Sequence, residues 1–231
     1  MLNAVKTKQE IFQIDGVPYR IESFLDRNQF FDPDGAMEAL GISPASWPFF
    51  GMVWPAGLLL AELTSLESMN QLRVLEIGCG LGIASLVANA AGADIIASDY
   101  HPMAEQLMAC NSRHNGLSET PFRRVDWRLQ QPELGVFDLI LGSDLLYEPD
   151  HPELLSAFLA AHSHAGTRIL IVDPKRRLQN HFLKRMQVLG FTAHSSASTA
   201  KQWQDHGFKG VIQRYSAFKG AVIAPVQSAL R

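Results

Sequence analysis

Glu76, Asp99, Asp144 and Tyr147 stand where an α/β sheet presents its ligands. Glu76 lies two residues before the first glycine of Val74-Leu-Glu-Ile-Gly78-Cys-Gly80-Leu-Gly82. A carboxylate there is a poor neighbour for a pyrophosphate and a good one for an ammonium group. Asp99 closes a short apolar strand, Ile95 to Ser98, and is placed to accept both hydroxyls of a ribose, which excludes a 2′-phosphate. Asp126-Trp127 follows the strand Phe122 to Val125, offering an acceptor for an adenine amino group and a flat apolar face. Asp144 and Tyr147, in Ser143-Asp-Leu-Leu-Tyr147, come directly after the apolar run Phe137 to Gly142. Ligands of open α/β sheets collect at such carboxyl ends, so substrate chemistry is expected there.

The glycines narrow the ligand further. A dinucleotide turn has the spacing G-x-G-x-x-G, whose third glycine lets the helix pack close to the strand. Here the third glycine comes one residue early, at Gly82, and Ile83 holds the dinucleotide position. The spacing and Glu76 together disfavour a nicotinamide-dependent oxidoreductase and keep a nucleoside-bearing ligand with an amino group. Cys79, inside the turn, reads as a small buried residue.

The elements that carry these residues alternate. Ile11 to Ile14 and Val17 to Ile21 flank Asp15-Gly16 as a hairpin, with Pro18 placing the second strand at an edge. A short helix is expected over Pro33 to Leu40, after Asp32-Pro-Asp34-Gly35, which lacks the later ligands of a calcium loop and reads as a turn. The aromatic run from Trp47 to Trp54 leads into a helix with Pro55 at its first position and Leu59, Leu63 and Leu66 on one face. Pro102 to His114 is a helix striped by Met103, Leu107 and Cys110; His151 to His162 is another, with Asp150 and Glu153 in capping-box register. Arg168 to Val172 is a strand, Gln179 to Leu189 a helix, and Phe191 to His194 and Val211 to Phe218 are strands without a helix between or after them. Such an order suits a parallel α/β sheet whose last strand turns antiparallel.

With 231 residues the chain has length for one large domain. Hydrophobic residues at 47% and charged residues at 19% argue against disorder, and a net charge of -3 does not favour a nucleic-acid partner. Neither of the two cysteines has metal-ligand spacing, and the eight histidines are scattered apart from His162-Ser-His164, which reads as a solvated helix end; no metal is expected. No apolar run reaches the ~20 residues of a membrane span and the N-terminus has no apolar signal segment, so a cytoplasmic protein is expected.

Val53-Trp54-Pro-Ala before a helix, the glycine stretch, Ser98-Asp99, Asp126-Trp127 and Phe137-Asp-Leu-Ile-Leu-Gly-Ser-Asp144-Leu-Leu-Tyr147 occur in an order that resembles the seven-strand protein lysine methyltransferases, methyltransferase family 16. The likeness covers roughly residues 50 to 220. It implies a Rossmann-like seven-stranded, mostly parallel sheet with an antiparallel last strand, helices on both faces and an N-terminal hairpin extension. The expected division is 1–52 for the extension, 53–218 for the core and 219–231 for a tail. It implies S-adenosyl-L-methionine as cofactor, held by Trp54, Gly78, Gly80, Asp99, Trp127 and Ser143 with Glu76 near the methionine amino group. Cys79, Gly82, Tyr100 and Asp126 complete that set. Asp144 and Tyr147 are then the substrate-side pair, Asp144 orienting a lysine amine and Tyr147 holding its alkyl stem. A protein histidine or a small molecule is the alternative acceptor, and a fold kept without turnover is the alternative of another class. Adenine-amino transfer is disfavoured because Ser143-Asp-Leu-Leu-Tyr147 lacks the paired prolines of N/D-P-P-Y. Oligomeric state is not legible.

Overall fold

The structure, a computed structural model, describes residues 5–175, 177–197 and 208–217; the expected tail over 219–231 lies outside them. The hairpin consists of β1 (Thr7–Ile14) and β2 (Val17–Phe24), paired antiparallel. Asp15 and Gly16 have φ of 47° and 75°, the positive values that a two-residue turn needs to match the strand twist. Among the described residues β2 pairs with β1 alone, so Pro18 lies in a strand with a free edge.

A single helical turn, α1 (Ala36–Ala39), replaces the longer helix expected over Pro33 to Leu40. Gly35 starts it at φ 64°, and the Asp32 carboxylate accepts from the Met37 and Glu38 N–H groups, at 3.0 Å in each case for Oδ2. Two of the unpaired donors at a helix start are thereby satisfied, and the Asp32 to Gly35 stretch is the turn it was expected to be.

Seven further strands form one sheet: β3 (Arg73–Ile77), β4 (Asp94–Asp99), β5 (Phe122–Arg124), β6 (Phe137–Ser143), β7 (Ser163–Asp173), β8 (Phe191–Ala197) and β9 (Val211–Ala217). Their order is β5-β4-β3-β6-β7-β9-β8. Pairing is parallel from β5 through β7, and β9 is antiparallel to both β7 and β8. The last strand therefore turns antiparallel as expected, inserted between β7 and β8 rather than added at the edge. The order reverses at β3, where the chain leaves for β4 and β5 on one side and returns to β6 on the other. A crevice opens above the carboxyl ends at such a point.

Side-chain alternation divides the core by face. Val74 of β3 belongs to the core shared with α2 (Pro55–Ser65), α3 (Ile83–Ala90), α4 (Ala104–His114) and the hairpin. Leu75 and Ile77 belong to the core under α5 (His151–Ala161) and α6 (Gln179–Val188). Glu76 thus points to the α3 side, buried at 4% exposure.

Three expectations change in detail. Leu66 is 73% exposed because α2 ends at Ser65; Leu59, Leu60 and Ala61 form its buried face. Asp150 makes no capping bond at α5, since its own backbone is already helical and only an extended N-cap aims its oxygen at the N3 N–H. Glu153 instead reaches His181 on α6 at 2.8 Å. His162 is buried, its Nδ1–H donating to the Gly135 carbonyl at 2.7 Å, and burial lowers its pKa. β7 starts at the next residue, and His164 pairs with Asp138 at 3.1 Å, so His162-Ser-His164 is a helix-to-strand junction rather than a solvated end. No helix of the described residues is long and apolar enough to cross a membrane.

Candidate functional site

Register brings three of the expected site residues into one row. Ile77 of β3 faces Ser98 of β4 and Gly142 of β6. The next residue on each strand is Gly78, Asp99 and Ser143, side by side at the carboxyl end of the sheet. Gly78, Gly80 and Gly82 have φ of 58°, 52° and 70°. A Cβ at these positions would meet Leu145 at 2.4 Å, the Phe50 carbonyl oxygen at 2.9 Å and Met108 at 2.1 Å, respectively. The turn is thus required twice, by left-handed backbone and by the chain's own packing. Cys79 is buried between, and its N–H donates to the Ser98 carbonyl at 2.8 Å.

Glu76 is positioned by the start of α3. Its Oε2 accepts from the Ser85 N–H at 2.7 Å and from the Ser85 hydroxyl, so the carboxylate caps the third residue of the helix. Its Oε1 has no partner among the described residues, which is the free acceptor an ammonium group would need. Burial pushes the Glu76 pKa up to about 7, against the lowering effect of the Ser85 bonds and with a smaller push from Asp99.

The sign of the pH effect follows. A carboxyl whose folded pKa lies above its unfolded value binds more protons in the folded state, so its contribution is full below about 4.5 and lost as pH rises through about 7. His101, held down to about 4 by burial, and His162 work in the opposite sense up to the ordinary histidine value of 6.5. Comparison with Glu76→Gln isolates the effect. Between about pH 5 and pH 8.5 the ligand-free parent is expected to lose up to ~3 kcal/mol relative to that variant, read as Tm against pH. Parallel curves for the two proteins would remove Glu76 as the titrating group.

Asp99 is tied to the turn by backbone. Oδ2 accepts from the Gly80 N–H at 2.9 Å and Oδ1 from the His101 N–H at 2.8 Å. Burial raises its pKa, and these bonds oppose the shift. Beside it, the Tyr100 hydroxyl donates to the Leu40 carbonyl and accepts from Arg128 at 2.9 Å, while Arg124 and Arg128 lie over its ring. Arg128 also holds both oxygens of Asp126 at 2.8 Å, and this bonding lowers the Asp126 pKa. Asp126 therefore serves first as an anchor for Arg128.

On the other side of the crevice, Asp144 is left-handed, with φ 53°, and its N–H donates to the Val172 carbonyl of β7 at 2.9 Å. Aspartate and asparagine tolerate that conformation better than most residues, and residues held there cluster at functional sites. Asp144 lines a cavity of about 360 Å³ with Trp54, Pro55, Pro174, Phe208 and Lys209. An aromatic arc starts from its Trp54 wall. Trp54 meets Phe49 at 5.8 Å, Phe49 meets Tyr147 at 6.4 Å, Tyr147 meets His151 at 4.6 Å and His151 meets Trp127 at 5.3 Å, all edge to face. Two bonds fix it: the Trp54 indole N–H donates to the Phe49 carbonyl at 2.9 Å, and His151 Nδ1–H donates to the Leu145 carbonyl at 2.6 Å. Phe49 and His151 are members that sequence reasoning missed. Phe49 was signalled by the aromatic run around it; His151 had no signal beyond its place at a helix start.

Among solved structures, the Thermus thermophilus 16S rRNA methyltransferase in complex with AdoMet and guanosine resembles this chain with a TM-score of 0.62 and 17% identity, over 92% of this chain and 51% of that one. That likeness is one of fold. Sheet order, glycine turn and carboxylates define a class I S-adenosylmethionine-dependent methyltransferase. A family model described as lysine methyltransferase matches residues 49–188, more than half of the chain, and the chain belongs to that family. The electron transfer flavoprotein beta subunit lysine methyltransferase of Rattus norvegicus is 33% identical over 143 residues, covering 60% of this chain. The chain spans only 55% of that relative's length. The protein N-lysine methyltransferase METTL21A of Xenopus tropicalis is 27% identical over 190 residues, covering 76% of this chain and 87% of that protein.

Proposed function

We propose that the chain transfers a methyl group from S-adenosylmethionine to the side-chain nitrogen of a lysine in a protein. The observation that carries this reading is Asp144, set in a left-handed turn at the carboxyl end of β6 and facing a cavity that it shares with Trp54. The residues present suit the cofactor: Glu76 Oε1 for its ammonium, Asp99 for its ribose, and the turn around Gly80 beside them. When bound, that cofactor supplies an electrophilic sulfonium methyl. Its acceptor must arrive aligned and without a proton on the attacking nitrogen, and a lysine has a free pKa of about 10.4. Asp144 accepts a hydrogen bond from the incoming amine and turns its lone pair inward. Tyr147, 46% exposed and flanked by Phe49 and His151, offers a ring face to the alkyl stem and its charge. The chain acts as one unit in the cytoplasm, with residues 1–52 as the extension to a core over 53–218.

Incubation with methyl-labelled cofactor and cell lysate, followed by separation of protein from small molecules, tests the reading. Label in a discrete protein band, absent with Asp144→Asn and mapped to lysine, is the expected result. Label on a histidine, or in the small-molecule fraction alone, would replace the acceptor, and no transfer at all would leave a silent binding protein. Tyr147→Ala is expected to raise KM for the protein substrate about fivefold to tenfold through loss of one ring contact, with the cofactor Kd unchanged. An unchanged KM would take Tyr147 out of substrate binding.

A further inference from the structure

Outside this site, the hairpin and α4 bring three metal-ligating side chains together. Cys110 and His114 stand one helical turn apart on α4, and Glu22 of β2 reaches between them. Cys110 Sγ lies 3.3 Å from Glu22 Oε2 and 3.6 Å from His114 Nε2; His114 Nε2 lies 2.7 Å from the same Glu22 oxygen. All three residues are half-buried. Without a metal, the Cys110 thiol and the His114 Nε2–H both donate to the same Glu22 oxygen. His114 Nε2 also faces the Gln9 side-chain nitrogen at 3.2 Å, and one ring nitrogen cannot both accept from that N–H and donate to Glu22. Sulfur, nitrogen and oxygen thus lie together, all within 4.8 Å of one another.

The distances suit one cation. Zinc bonds of ~2.3 Å to sulfur and ~2.0–2.1 Å to nitrogen or oxygen, at the tetrahedral angle, set the sulfur about 3.5 Å from each of the other two and those two about 3.3 Å apart. The two sulfur separations already lie near these values, and the nitrogen-to-oxygen pair has to open by roughly half an ångström. Supporting bonds are in place as well. Thr7 donates to the other Glu22 oxygen at 2.8 Å, and Asn111 Oδ1 accepts from the Glu22 N–H at 2.7 Å. Such bonds orient ligands in metal sites. Asn111 also donates to the Leu81 carbonyl at 3.2 Å, so the same contact reaches the glycine turn.

We propose that Glu22, Cys110 and His114 form a binding site for a zinc-class divalent cation that ties the N-terminal hairpin to α4, with a fourth position open to water. A thiolate, a neutral imidazole bound through Nε2 and a carboxylate balance the two positive charges; the thiol proton leaves to solvent on binding. Mixed sulfur and nitrogen ligands select zinc or cobalt over magnesium and calcium.

Tag-free protein comprising the whole 231-residue chain, reduced with a non-chelating phosphine, is titrated with cobalt(II) chloride and then with zinc chloride. One cobalt per chain is expected, with thiolate-to-cobalt absorption that zinc displaces and Cys110→Ser abolishes. Zinc at about a hundredfold excess over its Kd is expected to raise the parent Tm by about 5–10 °C and to leave Cys110→Ser and His114→Ala unmoved. Cys79 is the other thiol in the chain and lies within the glycine turn. No thiolate band in the parent, or a band that survives in Cys110→Ser, would overturn the proposal; the parent spectrum decides even if a variant fails to fold.

Discussion

Asp144→Asn is expected to lower the methyl-transfer rate about a hundredfold to a thousandfold, the range for loss of a positioned acid or base group, with the cofactor Kd shifted less than ~3-fold. Asparagine is the informative replacement because Asp144 is held at φ 53°, where asparagine is also tolerated and alanine is strained. The N–H bond to Val172, the turn and the cavity wall are all retained. What changes is charge: the amide still accepts a hydrogen bond from an amine but no longer favours the cation that lysine is before it loses its proton. Single-turnover methylation with enzyme and cofactor preformed separates this from binding. A rate near that of the parent would show that Asp144 only braces the turn. A loss of cofactor affinity equal to the loss of rate would move Asp144 to the cofactor side.

The residues legible in the sequence were those whose neighbours along the chain define their place. Asp99 and Asp144 follow apolar strands, so their position at the sheet's carboxyl end could be read directly. The three glycines could be read because left-handed backbone admits few other residues. Contacts between distant segments were not legible. Asp126 was read as an acceptor without its partner: Arg128 holds both of its oxygens, and although the pair is local, the side chain could equally have faced solvent. His162 looked exposed because nothing nearby in sequence announces Gly135 or Phe137 beside it. Cys110 and His114 have helical i, i+4 spacing, but the third group, Glu22, comes from a hairpin 88 residues earlier. Capping at α5 failed for a subtler reason: Asp150 and Glu153 have the right spacing, and one helical φ, ψ pair at Asp150 removes the geometry.

Gly80→Ala is expected to weaken cofactor binding by more than about a hundredfold and to lower Tm by roughly 2–8 °C, from a left-handed alanine that costs ~1–2 kcal/mol. Strain alone would not reach the cofactor; the neighbour does. The new Cβ would lie 2.9 Å from the Phe50 carbonyl oxygen, which is backbone. Phe50 has no room to retreat. Its ring stacks on His101 at 3.8 Å and meets Phe24 at 5.1 Å, and a Cβ at the next residue, Gly51, would already press on Phe24 at 2.4 Å. Residue 80 must therefore move, and its N–H leaves the Asp99 carboxylate that it holds at 2.9 Å. Asp99 is the group assigned to the ribose, so the displacement is felt where the cofactor sits. Gly92→Ala is the control, because Gly92 has φ 80° and nothing within 4 Å of its would-be Cβ. It shares the backbone strain without the collision and is expected to lose Tm while binding cofactor normally. Titration calorimetry with S-adenosylhomocysteine on the two variants decides the matter: equal affinities would show that the Gly80 turn and its bond to Asp99 do not shape the cofactor site.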